Sequence, residues 1–475
     1  MRIKIKLSRK FKIENIKKKI NYSYMILGVF ILLQSSAIAD CNQSAYAKRI
    51  ENKALLLLDQ MQFDRVIHLY EGYDWATEGS PYSLMLFCTA LNESKKKLID
   101  YFDSAKYPLH ISKFAEAYSD LLNGKASLAK SKFMDLKNSF DSQNFLYGAI
   151  GLLESGIFTL NFKHIDLLLK EFKNKIPNCW LMDYNIIYNF NAFNFEVVEN
   201  IISSLSKKQL SESLTLRLIQ IQLKIRGNQL QEALELVEES TNHFGNFQDL
   251  LVEKNKILSF LYGPNESYLF LTRTLKKYPY MWKLNLDRQF LLLEQNGEKN
   301  EQVILEKIKV IAYHRKNDIP SLLSICNAMS DYGHHLDAIK YMQIFMKKTD
   351  AQYEFFLSNL FMAKNHLLSN NKIRFQVAYQ DAVNKSQNDI GLQWLSYNIA
   401  LGEERYVDAN LILKKLLDHD PNNINTLTAL IHINVLLKQW DQVISYYNII
   451  KKSNRFIDDL QRDWLEKQRK KAIEK

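Results

Sequence analysis

The sequence predicts an all-α fold, an α-solenoid in which helix-turn-helix units stack along one axis. Three observations predict it. The nonapeptide QFDRVIHLY at 62–70 returns as QWDQVISYY at 439–447, sharing Gln62/Gln439, Asp64/Asp441, Val66/Val443, Ile67/Ile444 and Tyr70/Tyr447, with an aromatic residue second in both. The motifs PNCW at 177–180 and PYMW at 279–282 lie 102 residues apart, three periods of 34, and eleven such periods fall three short of the 377 that separate the nonapeptides. Stretches such as KALLLLDQ, SLLSICNAMS and LTALIHINVLLK repeat apolar residues at helical spacing, while the two-residue alternation of strands is scarce.

Each part of the chain then follows. At 475 residues it exceeds what one core fills, because single cores stop growing at roughly 250 to 300 residues. Only 14 glycines and 7 prolines are present, little material for β-bulges or phosphate-binding loops. At about 34 residues per unit, 40–455 holds about 11 to 12 hairpins, several of them degenerate, and 456–475 forms a closing helix. That last segment is amphipathic through Leu460 and Trp464 and charged elsewhere, as a solvent-facing cap requires.

Taken position by position, the unit resembles the tetratricopeptide repeat (TPR) family, which favours an apolar residue at 7, a small one at 8, Gly near 15, an aromatic at 17, Ala at 20, an aromatic or large apolar residue at 24, a small or apolar one at 27, and Pro at 32. The copy starting at Ile390 has Tyr406 at 17, Ala409 at 20, Leu413 at 24 and Pro421 at 32. The copy starting at Ile424 has Trp440 at 17, Val443 at 20, Tyr447 at 24 and Ile450 at 27, and the copy starting at Ala47 has Ala54 at 8, Phe63 at 17, Val66 at 20 and Tyr70 at 24. Weaker copies carry Ala129, Ala233 or Ala338 at position 20, and the resemblance spans roughly 47–452, with 82–108 and 281–318 short of the full motif. Packing demands small residues there in any case, because two helix axes approach to about 8 to 10 Å only when contact side chains are short. Both nonapeptides therefore open the second helix of such a unit.

The charge is placed unevenly. Residues 1–20 hold nine basic residues and one acid, a net +8 of the total +11, so everything from Asp40 onward carries +3. No nucleic-acid partner is expected from so weak an excess. The basic stretch is followed by the apolar run YMILGVFILL at 24–33 and then by Ala37-Ile38-Ala39, the layout of a signal peptide over 1–39 cleaved after Ala39. The run is too short for a stable span: ten residues rise about 15 Å against a ~30 Å hydrocarbon core. Asp40 stands where a lipidated Cys41 would want a small residue. The exported chain is expected in the periplasm, with an uncleaved anchor or release outside the cell as alternatives.

Chemistry-bearing motifs do not emerge. The sequence holds no HExxH, GxSxG, P-loop or GxGxxG, and Cys41, Cys88, Cys179 and Cys326 lie more than forty residues apart, excluding a CxxC site. Cys88 and Cys326 sit in apolar helical stretches and read as buried free thiols. Adjacent His334 and His335 diverge and lack a third ligand nearby, and Glu238-Glu239 and Glu403-Glu404 read as solvated pairs. No cofactor, metal or catalytic residue is expected.

The resemblance implies that first helices line a concave groove, into which position 9 points. That position is Gln222, Asn327, Asn398 or His432 in four copies, each with donors and acceptors suited to a peptide or sugar. Position 5 is Leu218, Leu323, Trp394 or Thr428, so the Lys–Asn carboxylate clamp of some family members is not supported. The expected function is a non-catalytic scaffold or adaptor for protein–protein interaction in the bacterial envelope, taking an envelope protein or extended peptide across Asn327, Trp394, Asn398 and His432. An envelope enzyme or binder acting on glycan or peptidoglycan, and a secreted effector, are the alternatives. The leader yields the first test. Intact mass of the protein from its native host should correspond to a chain beginning at Asp40; a species retaining Met1, or carrying acyl chains on Cys41, would refute cleavage after Ala39.

Overall fold

The computed structural model describes residues 45–474, apart from 347–358 and shorter stretches, the longest of them 102–106, 297–300, 315–321, 386–389 and 453–458. The expected leader, Cys41 and Asn327 lie outside the described residues. The described elements are helical, and no strand occurs among them. The helices are α1 (Ala45–Asp59), α2 (Phe63–Leu69), α3 (Pro81–Glu93), α4 (Leu109–Leu122), α5 (Ala126–Lys137), α6 (Ser142–Phe158), α7 (Phe162–Phe172), α8 (Asn178–Asn191), α9 (Phe195–Ser204), α10 (Leu214–Arg226) and α11 (Leu230–Phe244). They continue as α12 (Gln248–Tyr262), α13 (Pro264–Lys277), α14 (Trp282–Asn296), α15 (Glu301–His314), α16 (His335–Met346), α17 (Lys372–Lys385), α18 (Ile390–Gly402), α19 (Tyr406–His419), α20 (Ile424–Leu436), α21 (Trp440–Lys452) and α22 (Asp459–Ile473). The segment 281–318, short of the motif, still forms the hairpin α14–α15, whereas after α3 only a short 3₁₀ turn, Leu98–Asp100, is described where a second helix would start.

Local sequence sets the boundaries. Ser80, Asp141, Ser213 and Asn423 cap α3, α6, α10 and α20, each side-chain oxygen accepting from a backbone N–H three residues on. The turn inside each hairpin explains the repeated nonapeptide. Gln62 N–H donates to Leu57 O at 2.9 Å and Gln439 N–H to Asn434 O at 2.8 Å, and the same six-residue closure recurs at Lys125, Gln229, Asn371 and Arg405. The residue before the closing donor is left-handed in four of these turns: Met61 (φ 55°), Gly124 (77°), Glu404 (60°) and Lys438 (58°). Glycine is favoured at such positions, yet here the turn holds three larger side chains there.

Packing follows the same register. Ala54, Ala129, Ala233, Cys326, Ala338 and Ala409 are all completely buried, and Phe63, Tyr406 and Trp440 lie half-buried beside them. Cys88 and Cys326 are free and buried. One apolar core runs from Ile50 to Phe361 and a second from Trp394 to Ala472, as stacked hairpins with no separate globular centre would produce. Helices α5 and α6 approach closely: a Cβ added to Gly148 would sit 2.2 Å from Lys137 N and 2.7 Å from Phe133 O. The first hairpin also reaches far along the chain: Gln248 N–H donates to Asp59 Oδ2 at 3.0 Å across 189 residues. The last helix, α22, packs on both α20 and α21, where the first helix of a further hairpin would lie.

Gly148→Ala should therefore destabilise the chain by about 1 to 3 kcal/mol or more, because backbone rather than a flexible side chain must move. Gly402→Ala is the matched control, since a Cβ there meets nothing within 4 Å. Urea unfolding of both variants checks this, and equal midpoints would contradict the packing described.

Candidate partner-binding face

Many buried polar residues fall on the first helices, and a set of them bond sideways from one first helix to the next. The Ser80 and Ser83 hydroxyls donate to Glu51 Oε1 at 2.6 and 2.5 Å. Tyr184 Oη donates to Glu154 Oε1 at 2.6 Å, Gln222 Nε2 to Glu253 Oε1 at 3.2 Å, Asn255 Nδ2 to Asp287 Oδ2 at 3.3 Å and Gln461 Nε2 to Thr428 Oγ1 at 3.1 Å. Lys283 Nζ pairs with Asp249, both buried. The partners are 29 to 34 residues apart, so the bonds form a ladder at the repeat spacing. Burial is tolerable for these groups only because each is bonded.

In the N-terminal half the ladder encloses a cluster of acids. The Tyr82 hydroxyl lies within electrostatic reach of Glu51, Asp183 and Glu154, although Asp183 is 101 residues further on. Tyr82 Oη and Asp183 Oδ1 are buried without a hydrogen-bond partner. Burial pushes the Asp183 carboxyl up to about 8, and pushes Glu154 up to about 8 against the opposing hydrogen bond from Tyr184. Burial likewise raises Asp59, helped by Asp249, and Asp287, each to about 7. These first-helix side chains pack against one another, leaving little of themselves open to a partner.

The expected partner residues take different places. Gln222 is buried and bonded to Glu253. Trp394 is 8% exposed, belongs to the C-terminal core and meets the Tyr397 ring edge-on at 5.6 Å. His432 is half-buried, its ring 6.4 Å from that of Trp464 on α22, and burial lowers its pKa. Asn398 is half-exposed, one turn from Trp394, and takes no part in the ladder. Sequence reasoning identified the position-9 row but missed the ladder, whose signal is the recurrence of Asp, Glu, Asn and Gln on otherwise apolar first helices. His335 Nδ1 lies 2.9 Å from Asn365 Oδ1, and Glu238 and Glu239 pair with Lys254 and Arg217. Arg217 and Glu239 border a cavity of about 300 Å³ beside Ser240, His243 and Phe244. Among the described residues no three His, Cys, Asp or Glu converge as a metal site would require. No helix among them is long and apolar enough to cross a membrane.

The raised carboxyls give a pH dependence. Unfolded, they lose their protons near pH 4; folded, Asp183 and Glu154 lose theirs near 8. Between these values the unfolded chain binds fewer protons, so stability falls as pH rises from about 4 to about 8, by at most about 1.4 kcal/mol per pH unit for each group. Melting followed across that window should show Tm falling with pH, and Asp183→Asn combined with Glu154→Gln should flatten the slope. A slope unchanged in the double variant would place the response elsewhere.

Comparison with known proteins adds a limited likeness. No family model matches the chain, and no curated protein sequence does. Among solved structures it is similar to a chain of the APC/C hetero-tetramer Cut9-Hcn1, at 14% identity and TM-score 0.31, covering 90% of this chain and 88% of that one. It is also similar to the TPR domain of P58(IPK), at 13% identity and TM-score 0.21, covering 90% and 99%. Neither likeness carries a residue or a role over to this chain. On its own helix order, hairpin turns and buried small residues, the chain is a TPR-like α-solenoid.

Proposed function

We propose that this protein is an exported scaffold or adaptor, non-catalytic, that holds an envelope protein through an extended segment laid along the first helices of its C-terminal hairpins. Stacked hairpins present long surfaces suited to protein partners. The basic, apolar and Ala-x-Ala layout of 1–39, read as a leader, supports the envelope. The observation that carries the choice of face is Asn398: of the described position-9 residues, Gln222 is spent on Glu253 and His432 lies against Trp464, while Asn398 remains half-exposed and outside the ladder. Its amide offers a donor and an acceptor to a peptide backbone, worth about 0.5 to 1.5 kcal/mol per bond. Trp394 contributes its edge and the support of the core beneath, so truncating it would cost about 3 to 5 kcal/mol of stability rather than binding alone.

The test uses Asn398→Ala in the full chain, with cross-linking in the native envelope followed by capture. The variant should lose the partner that the parent captures, with melting unchanged. With a charge of only +3 beyond the leader, capture by the parent should survive about 0.5 M salt, where screening acts within a few ångströms. Undiminished capture by the variant would reject the concave face.

A further inference from the structure

The second helices carry a different signal. In α16, α17 and α19 the second residue is Leu336, Ile373 and Val407, and these are 69%, 79% and 63% exposed. Four residues on, on the same face, α17 has Val377 at 62% and α19 has Leu411 at 56%. Ile373 and Val407, like Val377 and Leu411, are 34 residues apart, so the aliphatic pair is repeated by the stack. Elsewhere in the stack the same two positions are polar and exposed: Asp64 and His68 in α2, Gln231 and Glu235 in α11, Gln302 and Glu306 in α15, and Asp441 and Ser445 in α21. Solvated outer faces call for polar residues, which those helices have at these positions and α17 and α19 lack.

Charge around the stripe is arranged in two halves. Lys372 and Arg374 are exposed at the start of α17, while Glu403, Glu404 and Asp408 surround the start of α19, with Arg405 shared between Glu403 at 2.9 Å and Asp408 at 2.7 Å. One half is net basic and the other net acidic. The helices α17 and α19 run the same way, because α18 reverses direction between them; the bond between the Tyr379 and Ser396 hydroxyls at 3.1 Å fixes α17 against α18. A two-fold axis along these helices lays α17 of one copy over α19 of another and sets the basic start against the acidic start. We propose that this stripe is where a second copy of the chain docks, forming a two-fold dimer through the outer faces of α17 and α19. Such an interface uses one patch twice and needs it to be self-complementary, which this stripe is in both hydrophobicity and charge. The four side chains on α17 and α19, exposing on the order of 100 Å² each, would bury roughly 800 Å² over two copies, the size of a weak, transient interface. Association in the micromolar range is expected of that size. The stripe lies on second helices, apart from the face proposed for the partner, so the two proposals stand or fall separately.

The test is the mass in solution of the full chain, by light scattering or sedimentation at about 100 µM, above the association range expected of such an interface. The parent should be a dimer. Val377→Asp with Val407→Asp should be a monomer with the parent's helical spectrum and Tm, since both sites are exposed. Lys372→Glu with Arg374→Glu should weaken association at least tenfold, and adding Glu403→Lys with Asp408→Lys should restore it. A monomeric parent, or a dimer that survives the aspartates, overturns the proposal. So does a monomeric parent whose aspartate variant loses a different captured protein, which would assign the stripe to that partner.

Discussion

Close approach of neighbouring helices at small residues is the constraint on which the rest depends. Each hairpin must bring its second helix against the first helices on either side, and it does so where Ala54, Ala129, Ala233, Cys326, Ala338 and Ala409 leave no side chain to separate them. Between α5 and α6 the constraint reaches its limit, since Gly148 and Gly151 each lie where a Cβ would overlap Lys137, or the ring of Phe133. Larger groups then fill the remaining space at fixed places, which is why aromatic residues recur at the start of second helices. Once this spacing is set, turn geometry, ladder bonds and outer stripe all inherit the same period.

The inner row shows what tight stacking does to polar groups. Side chains that would line an open groove in a looser superhelix are instead buried and must bond to one another. Carboxylates in that row meet burial first, and Asp183 and Glu154 answer by holding their protons up to about 8. A neutral carboxyl can donate as well as accept, so the ladder suits polar groups in a low dielectric better than an array of bare charges would.

Much of the fold was legible in the sequence because its signals are local and repeated. Position 20 could be read from Ala409 and Ala338, the start of second helices from Phe63 and Trp440, and the terminal helix from Leu460 and Trp464. The hairpin α14–α15 was harder to read because its side chains fit the packing without the motif. The candidate face was legible only as a row of positions. Whether Gln222 or Asn398 stays accessible depends on what the next first helix presents, Glu253 in one case and no ladder partner in the other. That is a property of superhelical pitch, and no single repeat encodes it. Contacts such as Asp59 with Gln248, 189 residues apart, lie further still beyond any periodic pattern.

A stack of this kind is only as cooperative as its weakest shared interface, because each hairpin touches little beyond its neighbours. The first core ends at Phe361 and the second begins at Trp394. Between them lie two small clusters, Ala363 with Ala378 and Leu395, and Ala382 with Leu392. Three of these five residues are alanines, which bring the helices close, and Met362, Leu367, Phe375, Tyr379, Val383 and Ile399 pack half-buried around them. Among the described residues, the two extended cores thus meet at α17. The outer stripe of α17 and α19 straddles that same junction. A second copy docked on it would tie α17 to the C-terminal core from outside, adding contact between consecutive hairpins.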